Sequence, residues 1–130
     1  ILNPMVQADV PQLSKECNQW REKLHSYREE FNQLKSRLEK AALHATSPQQ
    51  LSELEHFQNQ LHIQLINIHD LKQTVKANEK FVSHGMQENS GDYSGYSFAD
   101  HDNLGKEFIG LEQTLHDVRN RLTEFLNRLQ

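Results

Sequence analysis

Histidine is the residue type in this chain best suited to binding a metal, but its spacing argues against a metal site. Eight histidines occur among 130 residues. No two of them stand four apart, the helical spacing at which two imidazoles converge on one ion. His62 and His69 are seven apart, which separates them by about 10 Å along a helix. We therefore expect no metal and no cofactor.

Nucleophilic catalysis is not expected either. Cys17 falls at a regularly spaced apolar position, which is typical of a small buried side chain rather than of a nucleophile, a metal ligand or a disulfide partner. Gly91 and Gly95 flank a polar segment that lacks the Lys-Ser/Thr ending of a phosphate-binding loop. Catalysis also requires a concave site, for which closely packed helices leave little room. We expect no catalytic residues and no enzymatic activity.

Residues 86–97 combine hydroxyl and aromatic side chains in an acidic setting and have no helical periodicity. Ser90, Tyr93, Ser94 and Tyr96 are the candidates there for phosphorylation or for docking a partner. The alternative is a disordered insertion without a function of its own, which is the simpler interpretation. The sequence leaves both open.

The rest of the chain is dominated by apolar residues at alternating steps of three and four, here called seams, which place side chains along one side of a helix. The first seam is Val10, Leu13, Cys17, Trp20, Leu24, Tyr27, Phe31, Leu34, Leu38 and Ala41. The last is Leu104, Phe108, Leu111, Leu115, Val118, Leu122, Phe125 and Leu129. The middle one repeats every seven residues at Leu54, Leu61, Ile68, Val75 and Val82, with Phe57 and Leu71 on one flank and Leu65 on the other. This broader stripe predicts contact with two neighbouring helices.

Capping signals place the ends of three helices. The first is expected over about 10–44, with Asp9 as its cap, although Asn3-Pro4 offers an earlier start. The second is expected over about 48–84, because Ser47, Pro48 and Gln50 form a capping box with proline in the first turn. A long loop over about 85–98 and a third helix over about 99–130 follow. Gly105 and Gly110 in the third helix indicate either close packing, which we favour, or a hinge.

Length and charge limit the remaining classes of function. The chain is long enough for one domain over 1–130 and too short for a second. A net charge of -4 and a pI of about 6.0 argue against nucleic acid or anionic lipid as a partner. No apolar run is long enough for a membrane span, so direct membrane insertion is not expected. Ile1 is not an initiator methionine, and the last seam runs to Leu129, so we expect a larger parent protein.

The three seams together resemble a spectrin repeat. In that family a tryptophan of the first helix faces an aromatic residue, usually tryptophan, near the start of the third; Trp20 and Phe108 stand at those places. The ending 122–129 is similar to the family's closing seam, whereas residues 86–97 are longer than its usual connection. The resemblance implies an all-α, elongated, up-down-up three-helix bundle with left-handed coiled-coil packing. The expected core residues are Trp20, Tyr27, Phe31, Leu61, Ile68, Val75, Phe108, Leu115 and Leu122.

The resemblance also implies a function. A spectrin-type repeat would serve as a non-enzymatic spacer and protein-docking module in a larger cytoplasmic scaffold. Its partners would be other proteins and neighbouring repeats of the same chain, including proteins linked to the actin cytoskeleton or to the cytoplasmic face of the nuclear envelope. The alternative is a dimerising coiled-coil segment in which the first and last helices pair between chains. The helix start at Ser47-Pro48 favours a hairpin within one chain.

Overall fold

The computed structural model describes residues 4–82 and 98–129, with side chains over 10–82 and 100–129. Three long α-helices account for almost all of this: α1 over Pro4–Ala41, α2 over Pro48–Lys80 and α3 over Phe98–Leu129. A short 3-10 helix, Ala42–His44, follows α1. Each long helix contacts the other two. The prediction of an all-α fold with three packed helices is therefore confirmed.

The corner between α1 and α2 is built by the predicted capping box. The Ser47 hydroxyl accepts a hydrogen bond from the backbone N–H of Gln50 at 3.1 Å, and the Gln50 side chain accepts one from the N–H of Ser47 at 3.2 Å. Pro48 occupies the first turn, where its missing N–H leaves no hydrogen bond unmade. Ala45, in the corner itself, is buried. The chain therefore turns back sharply at this point, and α2 packs against α1.

Two helix ends differ from the sequence expectation. Helix α1 begins at Pro4, the earlier of the two starts, so Asp9 and Pro11 lie inside the helix rather than at its cap. Helix α2 ends at Lys80, about a turn before the expected end, although Phe81 keeps a helical backbone and its N–H bonds back to Ala77 and Asn78. The predicted loop over about 85–98 falls almost entirely outside the described residues.

Pairs of contacting side chains fix the order in which the helices meet. Contacts between α1 and α3 follow the same order along both helices. Glu16 contacts His101, and the later residue Tyr27 contacts the later residue Glu112; both pairs are 85 residues apart. Along α1 and α2 the order is reversed, because Arg21 contacts Glu79 whereas the later residue His25 contacts the earlier residue Lys72.

Contacts between α2 and α3 also run in opposite order. Glu53, near the start of α2, contacts Arg128 at the end of α3. One turn further along α2, the ring of Phe57 lies 5.2 Å from that of Phe125.

One continuous apolar core runs between the helices. Most of the expected core residues are buried in it: Phe31, Leu61, Ile68, Val75, Phe108, Leu115 and Leu122. Trp20 and Tyr27 are only partly buried and pack against its edge. Among the described side chains, Gln64 and His101 are the buried polar ones. No apolar stretch in the helices, as far as they are described, is long enough to cross a membrane.

Candidate functional site

The most distinctive polar arrangement lies in an open groove between α1 and α3, of about 620 Å³. His101 is buried there, and its Nε2 lies 3.1 Å from Oε1 of Glu16. Its ring lies 4.8 Å from the ring of Trp20, which in turn stacks on Phe108 at 6.2 Å and an interplanar angle of 27°. The groove therefore has an aromatic wall with an imidazole–carboxylate pair at one side.

Gly105 allows this wall to form. A Cβ at Gly105 would lie 3.1 Å from Cζ2 and 3.4 Å from Cη2 of Trp20, closer than carbon atoms normally pack. The close approach expected at a glycine of α3 is thus confirmed at Gly105. At Gly110 the expectation is wrong, because a Cβ there would meet nothing within 4 Å.

The described lining of the groove lacks one part of a nucleophilic active site, which is the nucleophile. An imidazole hydrogen-bonded to a carboxylate is two thirds of a catalytic triad, but a triad also needs a hydroxyl or thiol within reach of the imidazole. None of the described side chains that line the groove carries such a group. Ile109 is more than half exposed at the rim, and Lys106 pairs with Asp102 at 3.3 Å. The groove therefore presents an imidazole and a carboxylate without a nucleophile among its described lining side chains.

A second polar junction joins α1 to α3 at Tyr27. Its hydroxyl donates to Oε2 of Glu112 at 2.6 Å and lies 3.1 Å from Nε2 of His116. Burial, followed by the hydrogen bond to Glu112, raises the pKa of Tyr27 well above its ordinary value. Lys23 lies 3.9 Å from the same carboxylate. Because these groups satisfy one another, the junction holds two helices together.

Basic side chains line a groove between α1 and α2. The Lys72 ammonium lies 3.5 Å from Nδ1 of His25, and Lys76 and Arg21 line the same groove. Burial and the neighbouring positive charges of Lys76, Arg28 and Arg21 lower the pKa of Lys72. Arg21 is already paired with Glu79 at 3.1 Å, and it also bonds to Asn18. The positive charge of this groove is therefore only partly neutralised.

Other candidates from the sequence find no chemical partners. Cys17 is fully buried, and burial, with smaller contributions from Glu79 and Glu16, raises its pKa from 9.0 to about 11, so its thiol stays protonated near neutral pH. Among the described side chains, those of residues 10–82 and 100–129, no cluster of histidine, cysteine and acidic groups could hold a metal. The loop candidates Ser90, Tyr93, Ser94 and Tyr96 lie outside the described residues.

Two buried polar side chains were not anticipated from the sequence. Gln64 lies midway between the buried residues Leu61 and Ile68 and accepts a hydrogen bond from Asn67 at 3.2 Å. His101 lies seven residues before Phe108. Both occupy positions that continue a seam, and this spacing was the available signal.

Comparison with known proteins gives no relative for this chain. No family model matches its sequence, no curated protein matches it, and no solved structure matches its fold.

Proposed function

We propose that the chain is a spectrin-type repeat: an up-down-up three-helix bundle that acts as a non-enzymatic spacer and docking module within a larger cytoskeletal or scaffold protein. The observation that carries this proposal is the shared direction of α1 and α3. Glu16 of α1 lies beside His101 of α3, and Tyr27 of α1 lies beside Glu112 of α3. The later residue of α1 thus contacts the later residue of α3. A bundle of this kind would have the start of its first helix and the end of its last helix at opposite ends, as a spacer requires.

The aromatic pair at the start of α3 also supports the proposal. Trp20 stacks on Phe108 across the α1–α3 contact, at the two places where a spectrin repeat has facing aromatic residues. The heptad seams favour coiled-coil packing of left-handed twist. In this role the bundle would bind neighbouring repeats and other proteins, and it would lie in the cytoplasm, at the cytoskeleton or at the nuclear envelope. The groove lined by Trp20 between α1 and α3 and the exposed residues Ile63 and Ile66 of α2 are the candidate docking sites.

The separation of the two ends tests the spacer role. Spin labels at cysteines replacing Lys15 and Asn127, in a Cys17→Ala background, report a distance along the bundle. The shared direction places residue 15 near residue 100, so 27 further residues of α3 predict about 40 Å between the labelled backbones. Labels at residues 15 and 102 serve as the matched control, and we expect them to lie within about 15 Å, roughly one helix-to-helix spacing plus linkers.

The two label pairs discriminate between helix arrangements. A short 15–127 distance combined with a long 15–102 distance would mean that α1 and α3 run in opposite directions, and the spacer proposal would fail. Diluting labelled chains with unlabelled chains separates contacts within a chain from contacts between chains. If the short 15–102 signal disappeared on dilution, the helices would pair between chains, as in a dimerising coiled coil.

A further inference from the structure

The middle of α2 carries an unusual surface for a chain in which 25% of the residues are charged. Residues 56–69 form an uninterrupted run of fourteen without aspartate, glutamate, lysine or arginine, the longest such run in the sequence. One side of this run faces the core through Phe57, Leu61, Gln64 and Ile68. The opposite side is exposed, so the absence of charge there is not explained by burial.

Two isoleucines lie on that exposed side. Ile63 and Ile66 leave 45% and 46% of their surface open, which makes them two of the five exposed large apolar residues of the described chain. They are three residues apart and therefore adjacent on the helix. Their exposed neighbours His62, Asn59 and Asn67 are polar and can form hydrogen bonds, and none of them carries a carboxylate, ammonium or guanidinium group. The result is an outward-facing surface that is partly apolar and uncharged.

A row of four exposed residues crosses this surface with opposite charges at its ends. Glu55, His62, His69 and Lys76 recur every seven residues, and each directly follows a buried seam residue. Their shared heptad position places them on one line along α2. The row has a carboxylate at one end, an ammonium at the other and two imidazoles between them. Its midpoint lies beside Ile66, which adjoins Ile63. Among the ion pairs of the described residues, none includes Glu55 or Lys76.

We propose that this surface of α2, from Glu55 to Lys76, docks onto the same surface of a second folded copy of the chain in antiparallel orientation. The inference rests on the proposed docking role and names the partner. A two-fold axis near the midpoint brings Ile63 and Ile66 of both copies together. It also places Glu55 of each copy opposite Lys76 of the other, at ends separated by about 31 Å along the helix.

Charge decides between the two orientations of such a pair. In a parallel arrangement Glu55 would face Glu55 and Lys76 would face Lys76, which is repulsive at both ends. In the antiparallel arrangement both ends attract, and within the run 56–69 no aspartate, glutamate, lysine or arginine has to lose its water. Asp70, the first charged residue after that run, is exposed one turn beyond Ile66 and stays at the edge of the contact. Exposed ion pairs contribute mainly orientation rather than affinity. With a central contact of only two isoleucines per copy, we expect weak association, detectable from about 100 µM upward.

Sedimentation equilibrium of the 130-residue chain over a range of concentrations tests the proposal, with Ile66→Glu as the disrupting variant. Leu43→Glu is the control, because Leu43 is also a large apolar residue and is 85% exposed but lies in the 3-10 helix Ala42–His44, away from both candidate docking sites. We expect Ile66→Glu to weaken self-association at least tenfold and Leu43→Glu to leave it unchanged. If the Ile66→Glu variant associates as strongly as the unmodified chain, the proposal is overturned. It is also overturned if the unmodified chain does not associate at about 1 mM.

Charge reversal then tests the orientation. Glu55→Lys and Lys76→Glu should each weaken self-association, and the double variant should restore it, because only an antiparallel pair brings the two positions together. If the double variant is as weak as the single ones, the antiparallel arrangement is wrong. Circular dichroism of every variant checks that the helices persist. A mass of twice 15.2 kDa that persists at the lowest concentration and in Ile66→Glu would instead contradict the single-chain bundle of the proposed function.

Discussion

The contact between Gly105 and Trp20 can be measured by adding one methyl group at each of two glycines of the same helix. Alanine is favoured over glycine within a helix by about 1 kcal/mol. At Gly110 nothing lies within 4 Å of the new Cβ, so Gly110→Ala should gain this full amount. For a chain of this size the gain corresponds to a rise in melting temperature of about 4 °C.

At Gly105 the same gain is opposed by a steric contact. The new Cβ would lie 3.1 Å from Cζ2 of Trp20, so the indole must move by a few tenths of an ångström. Overpacking costs about 1 to 3 kcal/mol in a close-packed core, and the lower end applies here because Trp20 is only partly buried. We expect the two effects to cancel nearly. Gly105→Ala should therefore leave the free energy of unfolding almost unchanged.

Urea unfolding in the presence and absence of Trp20 isolates the contact. In a Trp20→Ala background the obstacle is gone, so Gly105→Ala should recover a gain of about 1 kcal/mol, giving a coupling energy of similar size. The Gly110→Ala gain should be the same in both backgrounds. If Gly105→Ala stabilises the chain as much as Gly110→Ala while Trp20 is present, then Trp20 does not lie over Gly105.

Three further predictions concern the core. Phe31→Ala should lower the free energy of unfolding by about 3 to 5 kcal/mol, and Trp20→Ala should lower it by less, because Phe31 is fully buried and Trp20 is not. Equal losses of this free energy in urea unfolding would contradict the placement of the two rings. Gln64→Leu should raise the free energy of unfolding by about 1 kcal/mol, since it replaces a buried amide by an apolar side chain, and a loss of stability in the same assay would count against it. The pKa of Cys17 rises on folding from 9.0 to about 11, so its contribution to stability is present below pH 9 and is lost as the pH approaches 11. Unfolding midpoints at about pH 8 and about pH 10 should therefore differ less in Cys17→Ala than in the unmodified chain; an equal difference would show that Cys17 does not titrate this way.

Local signals with a strong physical basis were sufficient to predict the corner and most of the core. The capping box depends only on Ser47, Pro48 and Gln50, which lie within four positions of one another, and it forms at the expected place. The α1 residues Leu24, Phe31 and Leu38 repeat every seven positions and are all buried. Such features depend on neighbours along the chain and can be predicted without knowledge of the tertiary contacts.

Features that depend on distant partners were not predictable in the same way. The burial of His101 depends on Glu16 and Trp20, which lie on another helix. Gln64 is polar, so counting apolar residues passes over it, although Leu61 and Ile68 on either side place it within the seam. The partial exposure of Trp20 likewise depends on where α3 lies. The candidate site was therefore less predictable than the fold.

The proposed function requires that one chain form a self-contained three-helix bundle, and the mass and shape of the chain in dilute solution test this requirement. Light scattering with small-angle X-ray scattering on the Ile66→Glu variant removes the proposed surface contact and leaves the bundle itself. We predict a particle of 15.2 kDa with a length of about 50 Å, the span of one such helix. A particle of twice that mass and clearly greater length would contradict the account, because it would mean that the helices pair between chains.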